Sequence, residues 1–384
     1  MNQDLRGSTA IVGVGVSAFP ALPPGCSPID AMALAVAEAL QDSGVAMGEI
    51  DGVFAAGLQV FMPTLSICEY LGIQPRYTDS TQVGGGSFIA HLNHAQAAIS
   101  AGLCDVALVV YGSTQRSSGA QFVSHSEPNP YETPYAYPGP VAAYALMAQR
   151  HMYEFGTTRT QLANVAVSAR KWAALNPLAS ERASLTVEDV LSSRPVATPF
   201  TVRDCCLVTD GGGAVIMTSA ARAKSCRRTP VYLLGAGEAV THRSIAQMTD
   251  LTSTGASISA SRAFSQARLT PDDIHVAQLY DAFTIMPVLF AEDIGFCAKG
   301  EGGAFLADGR TDPGGAFPMN TNGGGLSFGH PGMFGIYTII ESVLQLRGDC
   351  GARQVSGAEI ALAHAPGGYM SSHSTAIFGT QASL

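Results

Sequence analysis

Charge is scarce in this 384-residue sequence: 13% of its residues are Asp, Glu, Lys or Arg, against 47% hydrophobic ones, and the formal net charge is −9. No run of cations is longer than the pair Arg227-Arg228. Nucleic acid as the partner is therefore excluded, because binding phosphate backbones needs a basic face. A local basic pocket for a polyanionic small ligand such as a nucleotide is not. The eight cysteines, at 26, 68, 104, 205, 206, 226, 297 and 350, form no CxxC pair and no His/Cys cluster at metal-ligand spacing, which argues against structural zinc. A chain of this size needs no disulfides to build a core. No apolar run approaches the ~20 residues of a membrane span, and the opening MNQDLRGSTA lacks the apolar centre of a signal peptide. These absences predict a soluble, reduced, cytoplasmic protein without a membrane span.

What is present is the punctuation of an α/β protein. Gly 42 and Pro 21 are modestly above average usage, as suits many tight loops. The run from Ala10 to Val16 is short, β-branched and glycine-punctuated, as a buried strand should be. Ser27-Pro28-Ile29-Asp30 then offers a helix cap and a first-turn proline, Ala31 to Leu40 has helical apolar spacing ending near Gly44, and Ile50-Asp51-Gly52-Val53-Phe54 reads as a second strand. The same order returns half a chain later, with strand Val231 to Leu234, helix Ala256 to Ala267 and strand Ile274 to Leu279. Ala39 to Ile50 and Ala263 to Ile274 match as helix, turn, acidic residues and strand. This is an internal duplication, dividing the chain into residues 1–226 and 227–384. Two βαβ-rich halves predict mixed sheets covered by helices, with reacting groups delivered from loops where the halves meet. Residues 114–195 hold His125-Ser126-Glu127-Pro128-Asn129-Pro130-Tyr131 and a helix around Tyr144 to Phe155, and read as an inserted lid lined by His125, Tyr131, Tyr135 and Tyr137.

Four segments carry a resemblance. Thr198-Pro199-Phe200 through Asp204-Cys205-Cys206-Leu207-Val208-Thr209-Asp210-Gly211-Gly212-Gly213-Ala214 closes the first half; Leu175-Asn176-Pro177-Leu178-Ala179 follows Arg170; Asn320-Thr321-Asn322-Gly323-Gly324-Gly325 precedes Gly329-His330-Pro331; and Tyr280-Asp281-Ala282-Phe283 ends a strand. Over nearly its whole length the chain resembles the thiolases, and among them the sterol-carrier-protein thiolases and lipid-transfer-protein-like aldolases. The resemblance implies the thiolase fold, two duplicated βαβαβ halves in a layered α-β-α-β-α arrangement with an inserted loop region.

The departures from the family pattern decide the chemistry. Thiolases keep a nucleophilic cysteine in a C-x-S-G-x-x-A loop opening a buried helix; aligning Ala90 with the last alanine puts Gly84 at the cysteine, followed by Gly85, Gly86 and Ser87. Tyr280 replaces the first residue of the family's NEAF-type motif. The final cysteine-glycine motif reads His364-Ala365-Pro366-Gly367-Gly368-Tyr369. Without the nucleophile the acyl-cysteine route is closed. A retro-aldol cleavage of a 3-hydroxyacyl-CoA breaks the same Cα–Cβ bond and needs only a base, donors for the enolate oxygen and an acid. The candidate catalytic residues are Tyr280, His330, Tyr369 and His364. The candidate substrate-binding residues are Gly84, Gly85, Gly86, Ser87, Asp281, Arg170 and Lys171, the last two toward CoA phosphates and the glycines making room for a bulky tertiary carbinol. Tyrosine titrates near ~10 when unperturbed, so activation by His330 or His364 is expected.

Each candidate has an ordinary alternative: strand-end tyrosines and histidines pack, glycine runs turn, Asp281 anchors a strand end, and loop cations are solvated. The resemblance implies a steroid side-chain CoA ester as substrate, giving a 17-ketosteroid and propionyl-CoA. It implies no cofactor beyond the CoA of the substrate and no metal, a homodimer through the nucleophile-loop region, and a small OB-fold/zinc-ribbon partner that binds acyl-CoA. The alternatives are a non-catalytic acyl-CoA-binding subunit, or a 3-ketoacyl-CoA thiolase with a relocated nucleophile at Cys68, Cys104 or Cys297.

Overall fold

The computed structural model describes residues 4–17, 19–119, 130–135 and 139–384. The first half runs β1 (Thr9–Val16), α1 (Pro28–Ser43), β2 (Gly52–Ala55), α2 (Pro63–Leu71), β3 (Tyr77–Asp79), α3 (Ser87–Ser100), β4 (Val106–Ser113), α4 (Val141–Phe155), α5 (Arg159–Ala174) and β5 (Gly211–Ser219). The second runs β6 (Val231–Val240), α6 (Ala256–Ala267), β7 (Val276–Leu279), α7 (Ile285–Ile294), α8 (Gly335–Arg347), β8 (Ile360–Gly367) and β9 (Ser372–Gly379). Shorter helices connect these elements, and Pro195–Ala197 pairs with Phe200–Thr201 in a separate two-stranded sheet. The expected start of α1 is a full capping box: Asp30 N–H donates to Ser27 Oγ at 3.3 Å and Ser27 N–H donates to Asp30 Oδ2 at 2.7 Å, with Gly44 left-handed at the other end. Of the expected lid residues, His125 to Asn129 and Tyr137 lie outside the described residues, while Tyr131 and Tyr135 are exposed.

The strands are ordered β3-β2-β4-β5-β1-β6-β9-β8-β7. Read outward from the β1–β6 junction, both halves repeat one pattern. β1 pairs antiparallel with β5, β5 antiparallel with β4, and β4 parallel with β2; β6 pairs antiparallel with β9, β9 antiparallel with β8, and β8 parallel with β7. The duplication read in the sequence is thus a duplication of topology. The strands at the junction pair Ala10 with Tyr232 and Ile11 with Val231.

The layers follow from the glycines in those two strands. A Cβ at Gly15 would lie 2.1 Å from the Ala35 carbonyl oxygen of α1, and one at Gly237 2.1 Å from that of Ser259 in α6. Each glycine lets an outer helix lie directly on its sheet. Helices α3 and α8 touch strands of both halves and form the central layer, so the arrangement is α-β-α-β-α. Being covered on both sides, β4 is buried along its whole length. Among the described residues no helix is long and apolar enough to cross a membrane.

Candidate active site

A cavity of about 750 Å³ opens where loops of the two halves meet, walled by Val83, Gly84, Gly85, Tyr280, His330, Pro366, Gly367, Gly368 and Tyr369 among others. At its base lies a tyrosine–histidine pair. Tyr280 follows the last residue of β7, where Asn320 Oδ1 accepts from Leu279 N–H at 2.8 Å and the His364 carbonyl accepts from Tyr280 N–H at 3.0 Å. Its ring stands edge-on to His330 and Phe334, and its hydroxyl is 2.8 Å from His330 Nε2. Burial acts on both groups in the direction that keeps them neutral. It pushes the phenol well above its ordinary range and lowers the imidazole to about 4. Tyr280 therefore rests as the phenol. The neighbour that can exchange a proton with Tyr280 is His330.

The three glycines before α3 let Tyr280 and the β8 backbone pack directly against this turn. A Cβ on Gly85 would fall 2.5 Å from Tyr280 Cε2, one on Gly84 2.7 Å from Gly367 Cα, and one on Gly86 2.8 Å from the Ala365 carbonyl oxygen. Along the direction a side chain would take, the space is filled by the Tyr280 ring and the β8 backbone, while Gly84 and Gly85 remain on the cavity wall. Gly84 is also left-handed, at φ +81°. Ser87 is buried off the cavity wall, its Oγ accepting from Val83 N–H at 2.9 Å and donating to the Gly84 carbonyl at 2.7 Å, so it closes the turn. Neither Val83 nor the three glycines can supply a thiol.

Other candidates part company with the site. His364 faces away from the cavity: strand alternation points Ala365 toward the central layer and His364 outward, where its Nδ1 is 2.8 Å from Thr375 Oγ1, its Nε2 3.2 Å from His373 Nδ1, and its ring edge-on to Phe290 of α7. Asp281 also lies behind the wall. Its Oδ1 accepts from Gly325 N–H at 2.6 Å, fixing the turn that leads to His330, and burial pushes its carboxyl up to about 8. Arg170 is buried and donates to Ser327 Oγ at 2.9 Å and to the Ala183 carbonyl at 3.0 Å, bolting α5 to that same turn. Lys171 is paired with Asp312 at the surface. Neither cation lies on the cavity wall.

Several wall residues were missed in the sequence. Gln115 sits just beyond β4, Cys206 in the quoted closing stretch of the first half, and His242 and Arg243 just beyond β6. Their shared signal is position: all but Cys206 follow the ends of strands that point at the junction of the halves. His242 Nε2 is 2.9 Å from the Tyr369 carbonyl oxygen, and the Tyr144 hydroxyl donates to that of Gly368 at 3.0 Å, so the Tyr369 turn is held from two sides. Burial moves the Cys206 thiol far up, away from nucleophilic use. Cys68, Cys104 and Cys297 are not on the wall.

Residues 237–380 match the model of the thiolase C-terminal domain-like family. The chain is 36% identical over 340 residues to an acetyl-CoA acetyltransferase of Methanothermobacter thermautotrophicus, covering 86% of this chain and 88% of that protein. It is 33% identical over 364 residues to the 17-hydroxy-3-oxo-4-pregnene-20-carboxyl-CoA lyase of Mycobacterium tuberculosis, covering 90% and 92%. The chain belongs to the thiolase superfamily. Within it, this thiolase-fold chain falls on the sterol-carrier and lipid-transfer-protein branch. Its structure superposes on that of the Ltp2-ChsH2(DUF35) aldolase over 100% of both chains, with a TM-score of 0.90 and 28% identity.

Proposed function

We propose that this protein is a carbon–carbon lyase that cleaves a 3-hydroxyacyl-CoA by retro-aldol chemistry, the acyl group being a steroid side chain that leaves a 17-ketosteroid and propionyl-CoA. The observation that carries the reading is the neutral Tyr280–His330 pair, 2.8 Å apart, on a cavity wall whose nucleophile loop is glycine. The bookkeeping closes on these groups. The β-hydroxyl gives its proton to the pair, the Cα–Cβ electrons pass into the thioester as an enolate, the β-carbon becomes a ketone, and the α-carbon takes a proton back. No free CoA and no covalent intermediate enter. Tyr369, on the same wall, supports the role of proton donor to the α-carbon or of a donor to the enolate oxygen. The mycobacterial relative is named as a lyase of a 17-hydroxylated steroid acyl-CoA, which supports this substrate class.

The test is incubation of the purified protein with a 17-hydroxy steroid side-chain CoA ester, without free CoA, and mass spectrometry of the products. A 17-ketosteroid with propionyl-CoA supports the lyase. Products that appear only after CoA is added support thiolysis, the second reading, which the likeness to an acetyltransferase favours. Tight binding with no product supports a non-catalytic subunit. The solved aldolase is named together with a DUF35 protein, which favours a small acyl-CoA-binding partner here also, and the assay is run with and without one. The protein is further proposed to act in the cytoplasm as a homodimer through the nucleophile-loop region; light scattering that finds only monomer at micromolar concentration overturns the dimer.

A further inference from the structure

Gln115 is 3% exposed, lies on the cavity wall, and its amide nitrogen has no hydrogen-bond partner among the described residues. An unpaired buried amide is costly in a protein interior, so its place on a ligand cavity needs a reason. It is also held still. On one side, Thr114 N–H donates to Gln59 Oε1 at 2.9 Å; on the other, Ser117 N–H donates to Asp210 Oδ1 at 2.9 Å. The turn between is therefore pinned at both ends, which fixes the backbone from which the Gln115 side chain reaches the cavity wall. The carboxamide lies beside the catalytic loop: a Cβ on Gly332, two residues after His330, would come within 3.2 Å of Gln115 Oε1.

We propose that Gln115 is a substrate-recognising residue whose carboxamide hydrogen-bonds the β-oxygen of the acyl group, a hydroxyl in the substrate and a ketone in the product. A carboxamide suits both states, because it can accept from a hydroxyl and donate to either oxygen. The inference rests on the lyase reading and names the oxygen-specific contact of that site. Sites built to pair with an oxygen reject analogues that lack it, since their own polar group is then left unpaired.

The experiment compares the CoA ester of a 17-hydroxy steroid side-chain acid with its 17-deoxy counterpart, by equilibrium titration in the Tyr280→Phe background to suppress turnover. With Gln115 present, the hydroxy ester is expected to bind roughly tenfold tighter; Gln115→Met, of similar shape but apolar, should lose most of that preference, what remains being the contribution of His330. The unliganded Gln115→Met protein should also melt no lower than its parent, because an unpaired buried donor has been removed. Equal affinities with Gln115 intact, or a preference undiminished by Gln115→Met, overturn the proposal. So does a Gln115→Met protein that melts well below its parent, which marks a structural amide; if that variant does not fold, Gln115→Leu and the parent's own preference decide. Failure of the lyase reading looks different: a hydroxy preference that depends on Gln115, in a protein with Tyr280 intact that cleaves nothing.

Discussion

Tyr280 and His330 share one hydrogen bond, and burial raises the proton affinity of one side chain while lowering that of the other. The ion pair of phenolate and imidazolium is thus the unfavourable state at rest, and the pair waits as phenol and imidazole. Removing only the hydroxyl, in Tyr280→Phe, should lower kcat by at least about a hundredfold while the melting temperature stays near that of wild type. His330→Asn should cost a similar factor. The double variant should lose little more than either single one, because the two act as a unit; losses that multiply would sink the pair as a unit. The acid limb of kcat/KM should lie near pH 4, since His330 is neutral and able to take a proton above that value and is lost as a base when pH falls through it. A limb near pH 6.5, the ordinary value for a solvated imidazole, would place His330 in water.

At the scale of elements, the glycine turn before α3 and the strand end bearing Tyr280 fit only as a set. Restoring the family's nucleophile as Gly84→Cys should therefore not restore thiolysis. The left-handed backbone alone costs roughly 1–3 kcal/mol with a side chain, and the Cβ would meet Gly367 Cα at 2.7 Å. The expected result is a lowered melting temperature and no acylated protein by intact mass; an acyl adduct on the introduced thiol would refute this packing argument. The sequence made the existence of these elements legible. Capping residues around Ser27, the VGVG and LGAG strands beneath outer helices, and the repeated strand-helix-strand order all act within a few residues of themselves. Tyr280 and His330 were legible through motif position. What occupies the space at Gly85 was not, because the answer comes from Tyr280, half a chain away. Nor was the outward face of His364, which depends on the register of a strand whose two sides are both covered. The place of Arg170, a candidate for CoA phosphates, was not legible either, because its burial depends on the turn at Ser327 packing against it.

At the scale of the whole molecule, five of the described histidines fall into two opposed arrangements. His91, His364 and His373 are buried and His330 is half-buried on the cavity wall, and desolvation holds each well below its ordinary proton affinity, His91 and His330 at about 4 and His373 at about 3. An unfolded chain takes up protons on these side chains near pH 6.5, where the folded chain does not. Each therefore contributes stability that is present above the unfolded value and is lost as pH falls toward the folded one, by up to about 1.4 kcal/mol per pH unit. Asp281, held up at about 8, works in reverse between its unfolded value and pH 8, and is outnumbered. Equilibrium urea unfolding should show stability dropping steadily from about pH 6.5 to about pH 4; a flat profile there would mean that these rings are reached by water.

His94 is the opposite case, and it ties the two halves. It stands between Asp79 of β3, 2.6 Å from Nδ1, and Glu238 of β6, 3.3 Å from Nε2. Hydrogen bonds to Asp79 and then to Glu238 raise it to about 10. Its contribution to stability is complete below pH 6.5, where even the unfolded side chain is protonated, and disappears as pH rises through about 10. The site is partly exposed, so screening reduces the effect, but its place is distinctive, because the β1–β6 ladder that joins the sheets is two residue pairs long. His94→Gln should lower the melting temperature at about pH 6, and the wild-type and variant melting curves should converge as pH approaches 10. Added salt at the lower pH should shrink the difference as well. A gap that persists unchanged at the higher pH would show that His94 acts by packing, and that the halves are clamped by the central helices α3 and α8 without this bridge.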